Sequence, residues 1–258
     1  MYFPVSFWDN IYAALNNPTT LIGYWKLEET STSLRLNSVV QNSGYYLYPL
    51  GLDDDSSQTV LSKPGKFNNA AYFESTLVEQ SQYVDLRYTG QGSGLTIGND
   101  SFTMTCWVKP TGNQAADFDI APGIRGWELI SKADIILPSV QTLEYRLMMD
   151  TNYFPSAWFG GFKEQGQQQL AKVIVSGVTP LTTDDFSFLA MRYDKISQSL
   201  TLYHGINKTL RILSANTTGA FESNLTQNSY FRIGGDAIAP GGAITDEVAF
   251  WRRALRDS

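Results

Sequence analysis

Sugar hydrolysis with retention needs two carboxyl groups about 5 Å apart facing the substrate, a spacing that alternate residues of one strand provide. The acids of this 258-residue chain do not fall into it. Asp117 and Asp119 alternate in Asp117-Phe118-Asp119-Ile120 but sit among Pro and Gly, and no Glu accompanies them. Asp246 and Glu247 are adjacent, which places them on opposite faces of a strand and suits structural pairing better than joint catalysis. The chain has one histidine, His204, and one cysteine, Cys106. That leaves little for triad chemistry and no zinc-type cluster, and there is no phosphate loop, Gly-x-Ser-x-Gly elbow or dinucleotide fingerprint. His204 precedes Gly205 and reads as a hairpin-turn residue. Cys106 shares a strand face with Phe102, Met104 and Val108 and reads as a buried thiol.

The other chemistry on offer is aromatic. Trp127, Tyr153, Phe154, Trp158 and Phe162 lie around Pro155, Gly160 and Gly161. Flat rings presented by Gly-rich loops suit sugar rings or another protein, both of which offer apolar surface with polar edges. The alternative is that alternate members are core, which the spacing favours for Phe159. A second aromatic group lies at the N-terminus, where Phe3, Phe7, Ile11 and Leu15 recur every four residues with Trp8 and Tyr12 beside them. That is helical spacing, stopped by Asn16-Asn17-Pro18. A stripe this wide on so short a helix is expected to meet a second partner as well as its own domain.

The segments that would position these residues are short and extended. Leu21 to Leu27, Ala70 to Phe73, Tyr83 to Leu86, Ser101 to Lys109, Glu128 to Lys132, Leu143 to Met149, Lys172 to Val175, Phe186 to Tyr193, Ser199 to Tyr203, Tyr230 to Ile233 and Ile244 to Trp251 read as strands between Gly, Asn, Asp, Pro and Ser turns. More than ten strands with no long helix between them exclude a parallel α/β layout. The expectation is an all-β, two-sheet antiparallel sandwich over residues 21–258, preceded by a helical arm over 1–20.

Several blocks match one family in order: Tyr24-Trp25-Lys26-Leu27-Glu28-Glu29, Gly65 to Glu74, Tyr83-Val84-Asp85-Leu86, Ser101 to Pro110, Leu129-Ile130-Ser131-Lys132, Ala190 to Asp194, Leu202 to Gly205, Arg232-Ile233-Gly234, and the closing Gly242 to Leu255 with its Asp-Glu pair and Arg-Ala-Leu end. The chain resembles the laminin G-like jelly rolls of the concanavalin A-like lectin and glucanase group. The resemblance implies a jelly roll and leaves function open, because lectins, hydrolases and spacers share the fold. It departs at Phe186-Ser187-Phe188, where members have Trp-His-His, at His204, where they have Asn, and at Glu74, where an Asp is common. Some relatives bind calcium through loop oxygens, which makes Asp53-Asp54-Asp55 the candidate metal ligands; three consecutive carboxylates also suit a solvated loop. No other cofactor is implied. Glycanases of the group carry Glu-x-Asp-x-Glu, which this chain lacks, so it is expected not to be an enzyme.

A net charge of −6 disfavours phosphate-backbone binding, and no apolar run is long enough to cross a bilayer. The first 17 residues lack the regions of a secretion leader, which conflicts with a fold whose familiar members are extracellular. Leaderless jelly rolls with an aromatic helix before Asn-Pro are similar to proteins of tailed-bacteriophage structural modules. That similarity implies a non-enzymatic virion component, a capsid decoration, head fibre or tail-associated adhesin, held as a homo-oligomer to other virion proteins by Phe3, Phe7, Trp8, Ile11, Tyr12 and Leu15, with a cell-surface glycan as a further partner. A soluble carbohydrate-binding module is the alternative, and a glycan hydrolase or lyase a third reading.

Overall fold

The computed structural model describes residues 20–30, 38, 48–50, 60–73, 83–85, 95, 97, 100–112, 119–121, 124–137, 140–160, 172–206, 209–217, 230–234 and 242–255. They form strands and no helix. In chain order the strands are β1 (Leu21–Trp25), β2 (Tyr48–Leu50), β3 (Leu61–Pro64), β4 (Asn69–Phe73), β5 (Tyr83–Asp85), β6 (Phe102–Pro110), β7 (Asp119–Ala121), β8 (Ile124–Leu137), β9 (Val140–Asp150), β10 (Pro155–Gly160), β11 (Lys172–Ser176), β12 (Ser187–Asp194), β13 (Ser199–Ile206), β14 (Thr209–Asn216), β15 (Tyr230–Gly234) and β16 (Ala243–Trp251). The first sheet runs β14-β13-β12-β6-β16-β4-β3, with β1 also on β16; the second runs β11-β10-β9-β8-β15-β5-β2, with β7 on β8. The neighbouring strands are antiparallel. This is the expected two-sheet sandwich. The helical arm and its six aromatic and aliphatic residues lie outside the described residues.

Strict alternation decides what enters the core. Phe102, Met104, Cys106 and Val108 of β6 face the second sheet, as do Leu189, Met191 and Tyr193 of β12 and Val248 and Phe250 of β16. The second sheet answers with Tyr145, Leu147, Met149, Ala157, Phe159, Phe231 and Ile233. Phe102 stands at the centre: its ring stacks on Phe250 at 5.8 Å and lies 5.1 Å from Tyr145 and 5.5 Å from Phe159, so one side chain joins both sheets. Burial raises the Cys106 thiol pKa well above its ordinary value, and the thiol is inert packing.

The outward residues of β6 are buried as well, as expected of a strand covered on both faces. Trp107 packs with Phe186, Phe188 and Tyr203, and Trp251 is enclosed by Leu21, Ala249 and Leu255. The Thr103 hydroxyl accepts the Leu255 N–H and donates to the Arg253 carbonyl, and Arg192 donates to the Leu255 carbonyl, so the Arg-Ala-Leu end is pinned to the sheet.

Two expectations change. His204 is not in a hairpin turn: it is a buried residue of β13, opposite Leu189 and Arg211. Gly205 continues the strand opposite Phe188 and Leu210, and the pairing with β14 runs on to Ile206 opposite Thr209. The Pro/Gly-rich aromatic segment is not a loop either; Pro155 opens β10 and pairs with Met149, the strand-entry position where a missing N–H is tolerated.

Gly23 is required by packing. A methyl group there would fall on the Trp25 indole, which folds beneath it and stacks on Phe231 at 5.3 Å. Gly23→Ala should cost about 1–3 kcal/mol by overpacking. In a Trp25→Leu background the same change should cost much less, a non-additivity that denaturant melts of the four proteins will measure.

Candidate functional site

The structure does not assemble the sequence-predicted aromatic residues into one patch. Trp127 points into the core, where Tyr153 stacks on it at 5.5 Å with an interplanar angle of 18°. Tyr153 is held there by the β9–β10 turn, in which Asp150 Oδ1 accepts the N–H groups of Asn152 and Phe154 and Tyr153 takes φ 64°. Phe154 is half-buried beside it. Trp158 emerges on the opposite, outward face of the second sheet, because Ala157 and Phe159 on either side of it face inward. Phe162 and Asp53, Asp54 and Asp55 lie outside the described residues. Among the described residues no group of three or more acid, His or Cys side chains is arranged to hold a metal ion.

The register of the second sheet brings Trp158 into a row that the sequence does not reveal. Trp158 on β10 lies opposite Ile174 on β11 and Arg146 on β9; Arg146 lies opposite Ser131 on β8, and Ser131 opposite Arg232 on β15. Four steps at about 4.8 Å make a line some 19 Å long across five strands on the outward face. The backbone register continues through Asp85 on β5 to Tyr48 on β2. Trp158, Arg146 and Ser131 form a buried centre, and Ile174 and Arg232 are half-buried ends.

Glu128 organises the centre. Fully buried on β8, it pairs with Arg146 at 2.7 Å and accepts the Ser131 hydroxyl. The Trp158 indole N–H donates to Ser156 Oγ at 3.0 Å. A second buried pair, Lys132–Glu144 at 2.8 Å, sits where the β8–β9 register shifts, and Glu144 also accepts the Ile97 N–H at 2.5 Å. Sequence reasoning missed these groups because each pair spans two strands. The available signal was a charge at an alternate position of an apolar strand, as in Trp127-Glu128-Leu129-Ile130 and Tyr145-Arg146-Leu147-Met148.

The Asp246–Glu247 pair behaves differently from the alternation rule. A bulge interrupts the β6–β16 register between Asp246 and Ala249, with Glu247 at φ 53°. Asp246 stays on the outward face opposite Trp107, and Glu247 turns to accept the Tyr24 hydroxyl. Both carboxylates therefore join one cluster, where the sequence places them on opposite faces. Asp246 Oδ2 accepts the Phe67 N–H at 3.0 Å, and the Lys66 N–H also bonds this carboxylate. Burial nevertheless pushes Asp246 up to about 7. Burial also raises Glu247, and burial with the Glu247 hydrogen bond raises Tyr24. The buried carboxylates thus hold backbone, hydroxyl or cationic partners.

No protein-family model matches the chain, and no curated protein matches it. Solved structures do. Domain 4 of AbnA, an extracellular arabinanase from Geobacillus stearothermophilus, in complex with arabinotriose, is similar with a TM-score of 0.53 and 15% identity over 92% of this chain and 94% of that one. The botulinum neurotoxin serotype G binding domain aligns with a TM-score of 0.56 and 11% identity, this chain covering 48% of it. Trypanosoma rangeli sialidase aligns with 0.53 and 13%, this chain covering 31% of it. What they share with this chain is the fold.

Two outcomes test the electrostatics. Glu128→Gln leaves the Arg146 charge buried without its counter-ion and should cost about 3–5 kcal/mol, most of it recovered in Glu128→Leu/Arg146→Met, as chemical melts will show. Asp246, raised from 3.8 to about 7, contributes stability that is full below its unfolded pKa and lost as pH rises through about 7. His204, lowered from 6.5 to about 4 by burial and by Arg211, contributes stability that is full above 6.5 and lost as pH falls toward 4. The two slopes oppose each other in between. Asp246→Asn, which keeps an acceptor for Phe67, should therefore gain stability over wild type as pH rises from about 4 to 8; a difference that does not change with pH would contradict this assignment.

Proposed function

We propose that this chain is a non-catalytic carbohydrate-binding β-sandwich that takes a glycan on the outward face of the second sheet. The observation that carries the reading is the transverse row: an apolar end at Ile174, a buried indole and guanidinium at its centre and a half-buried guanidinium at Arg232. Sugars present apolar C–H faces edged by hydroxyls, and a site for them combines hydrophobic surface with a few fixed polar groups. Glu128 and Ser131 hold Arg146 within the buried centre, so the half-buried ends at Ile174 and Arg232 are where a ligand makes contact. The likeness to an arabinanase domain in complex with arabinotriose supports a glycan as ligand.

The non-catalytic part of the reading rests on the carboxylates. Retaining chemistry needs a pair facing the sugar, whereas Glu128 and Glu144 are buried in ion pairs and Asp246 in backbone hydrogen bonds. The virion role implied by sequence resemblance rests on the arm, which lies outside the described residues, and the structural likenesses favour glycan binding over it.

The test is a glycan array followed by calorimetry on any ligand found. Wild-type protein should bind and release no reducing ends. Arg232→Ala should weaken binding by about 1.5–3 kcal/mol, the range for a hydrogen bond to a charged group, and Ile174→Asp should weaken it too. Failure to bind any glycan, or equal binding by wild type and both variants, would sink the proposal.

A further inference from the structure

We infer that the turn between β3 and β4 carries a second saccharide site, a stacking platform formed by Phe67 on the outward edge of the first sheet. The inference rests on the carbohydrate-binding reading and adds a site far from the transverse row, on the other sheet.

Phe67 is 48% exposed, yet little about it is free to move. Its N–H is held by the buried Asp246 carboxylate at 3.0 Å, and the turn is closed by the Gly65 N–H donating to the Asn68 carbonyl at 2.9 Å. Gly65 is needed for this approach, since a Cβ there would lie 2.6 Å from Asp246 Oδ2 and 2.9 Å from Ala70 Cβ. Asn68 takes φ 50° and anchors its amide on Glu28 at 2.8 Å. The Phe67 ring meets Trp107 edge to face, with centroids 6.3 Å apart at 81°. Lys66 lies over the same indole at 5.0 Å and reaches Asp185 at 3.4 Å. The turn that Asp246 fixes for the sheet also holds Phe67 in one place with its ring half in water, and a flat apolar face in a fixed position is preorganised for stacking.

The surroundings favour a saccharide as occupant. Lys66, paired with Asp185, and Asn68, bonded to Glu28, flank Phe67 in the same turn, each pair offering a donor and an acceptor to hydroxyl groups. The two charges of the Lys66–Asp185 pair cancel and Glu28 leaves one net negative charge, which fits a neutral sugar better than an acidic one. One half-exposed ring is also far less surface than the roughly 800 Å² per partner that a stable protein interface buries.

The experiment titrates the full chain with arabinotriose, xylotriose, cellotriose and maltotriose and follows assigned amide and indole resonances. At least one trisaccharide should shift the Asn68 side-chain amide and the Trp107 indole N–H. Phe67→Ala should weaken that response at least tenfold, Phe67→Trp should retain it, and Arg232→Ala should leave it unchanged. Shifts that persist in Phe67→Ala, or responses confined to the Arg232 region, overturn the second site and leave the first standing. No response at either place, with an empty glycan array, overturns both. Loss of a self-associated mass in Phe67→Ala without any sugar-induced shift would make the ring a protein contact and overturn the inference.

Discussion

The sandwich depends on how β16 is shared. Along one edge it pairs with β6 on both sides of the bulge; along the other it pairs first with β4, up to Thr245, and then with β1, from Val248 onward. A strand that changes neighbours leaves backbone groups unpaired at the change, and buried groups of that kind are costly. Asp246 stands at that point. Its carboxylate takes the Phe67 and Lys66 N–H groups in place of a strand, and the bulge beside it turns Glu247 to Tyr24 of the incoming strand. One carboxylate therefore sets the β3–β4 turn, the exchange of neighbours and the exposed ring of Phe67. A burial-raised pKa follows from the same placement, because the sheet encloses the group that completes it.

Around that junction the two outward faces differ in character. The first sheet carries apolar and aromatic cover, Trp107 with Phe188 and Tyr203, topped by the cations of Lys66 and Arg192 over two of the rings. The second carries paired charge in Glu128 with Arg146, while in the other buried pair, Lys132 with Glu144, Lys132 lies opposite the core residues Phe231 and Tyr145. Buried ion pairs seldom add net stability over well-packed apolar residues, and their use is better sought in fixing geometry. Here they fix Arg146 beside Trp158 and tie residue 97 to β9.

Much of the architecture was legible because alternation is local. In β6 the apolar face and the Thr103, Thr105 and Trp107 face can be read from nine consecutive residues, and β16 likewise up to its bulge. The sequence misled where a local sign had a non-local answer. Pro155, Gly160 and Gly161 read as a loop, yet β9 and β11 draw Pro155–Gly160 into the sheet. β14 escaped notice because an edge strand with one neighbour alternates only between half-buried and exposed. The candidate site was hardest to read. Trp158 was singled out for its ring, but its companions Arg146, Ser131 and Arg232 come from three other strands, and their alignment exists only once the register is set. Nothing near Phe67 marked it as exposed, since that depends on Asp246, far along the chain.

The burial of Cys106 at the centre of β6 has a kinetic consequence. A thiol that is sealed in the core and held protonated by its surroundings cannot meet a labelling reagent while the sheets are closed. As the chain's sole cysteine, it makes modification a one-hit clock for the separation of the two sheets. Where reagent is in excess and reclosing is slower than capture, the clock reads the opening rate itself; where reclosing wins, it reads the population of the open form. The fold thus carries its own reporter of kinetic persistence, with no engineered probe.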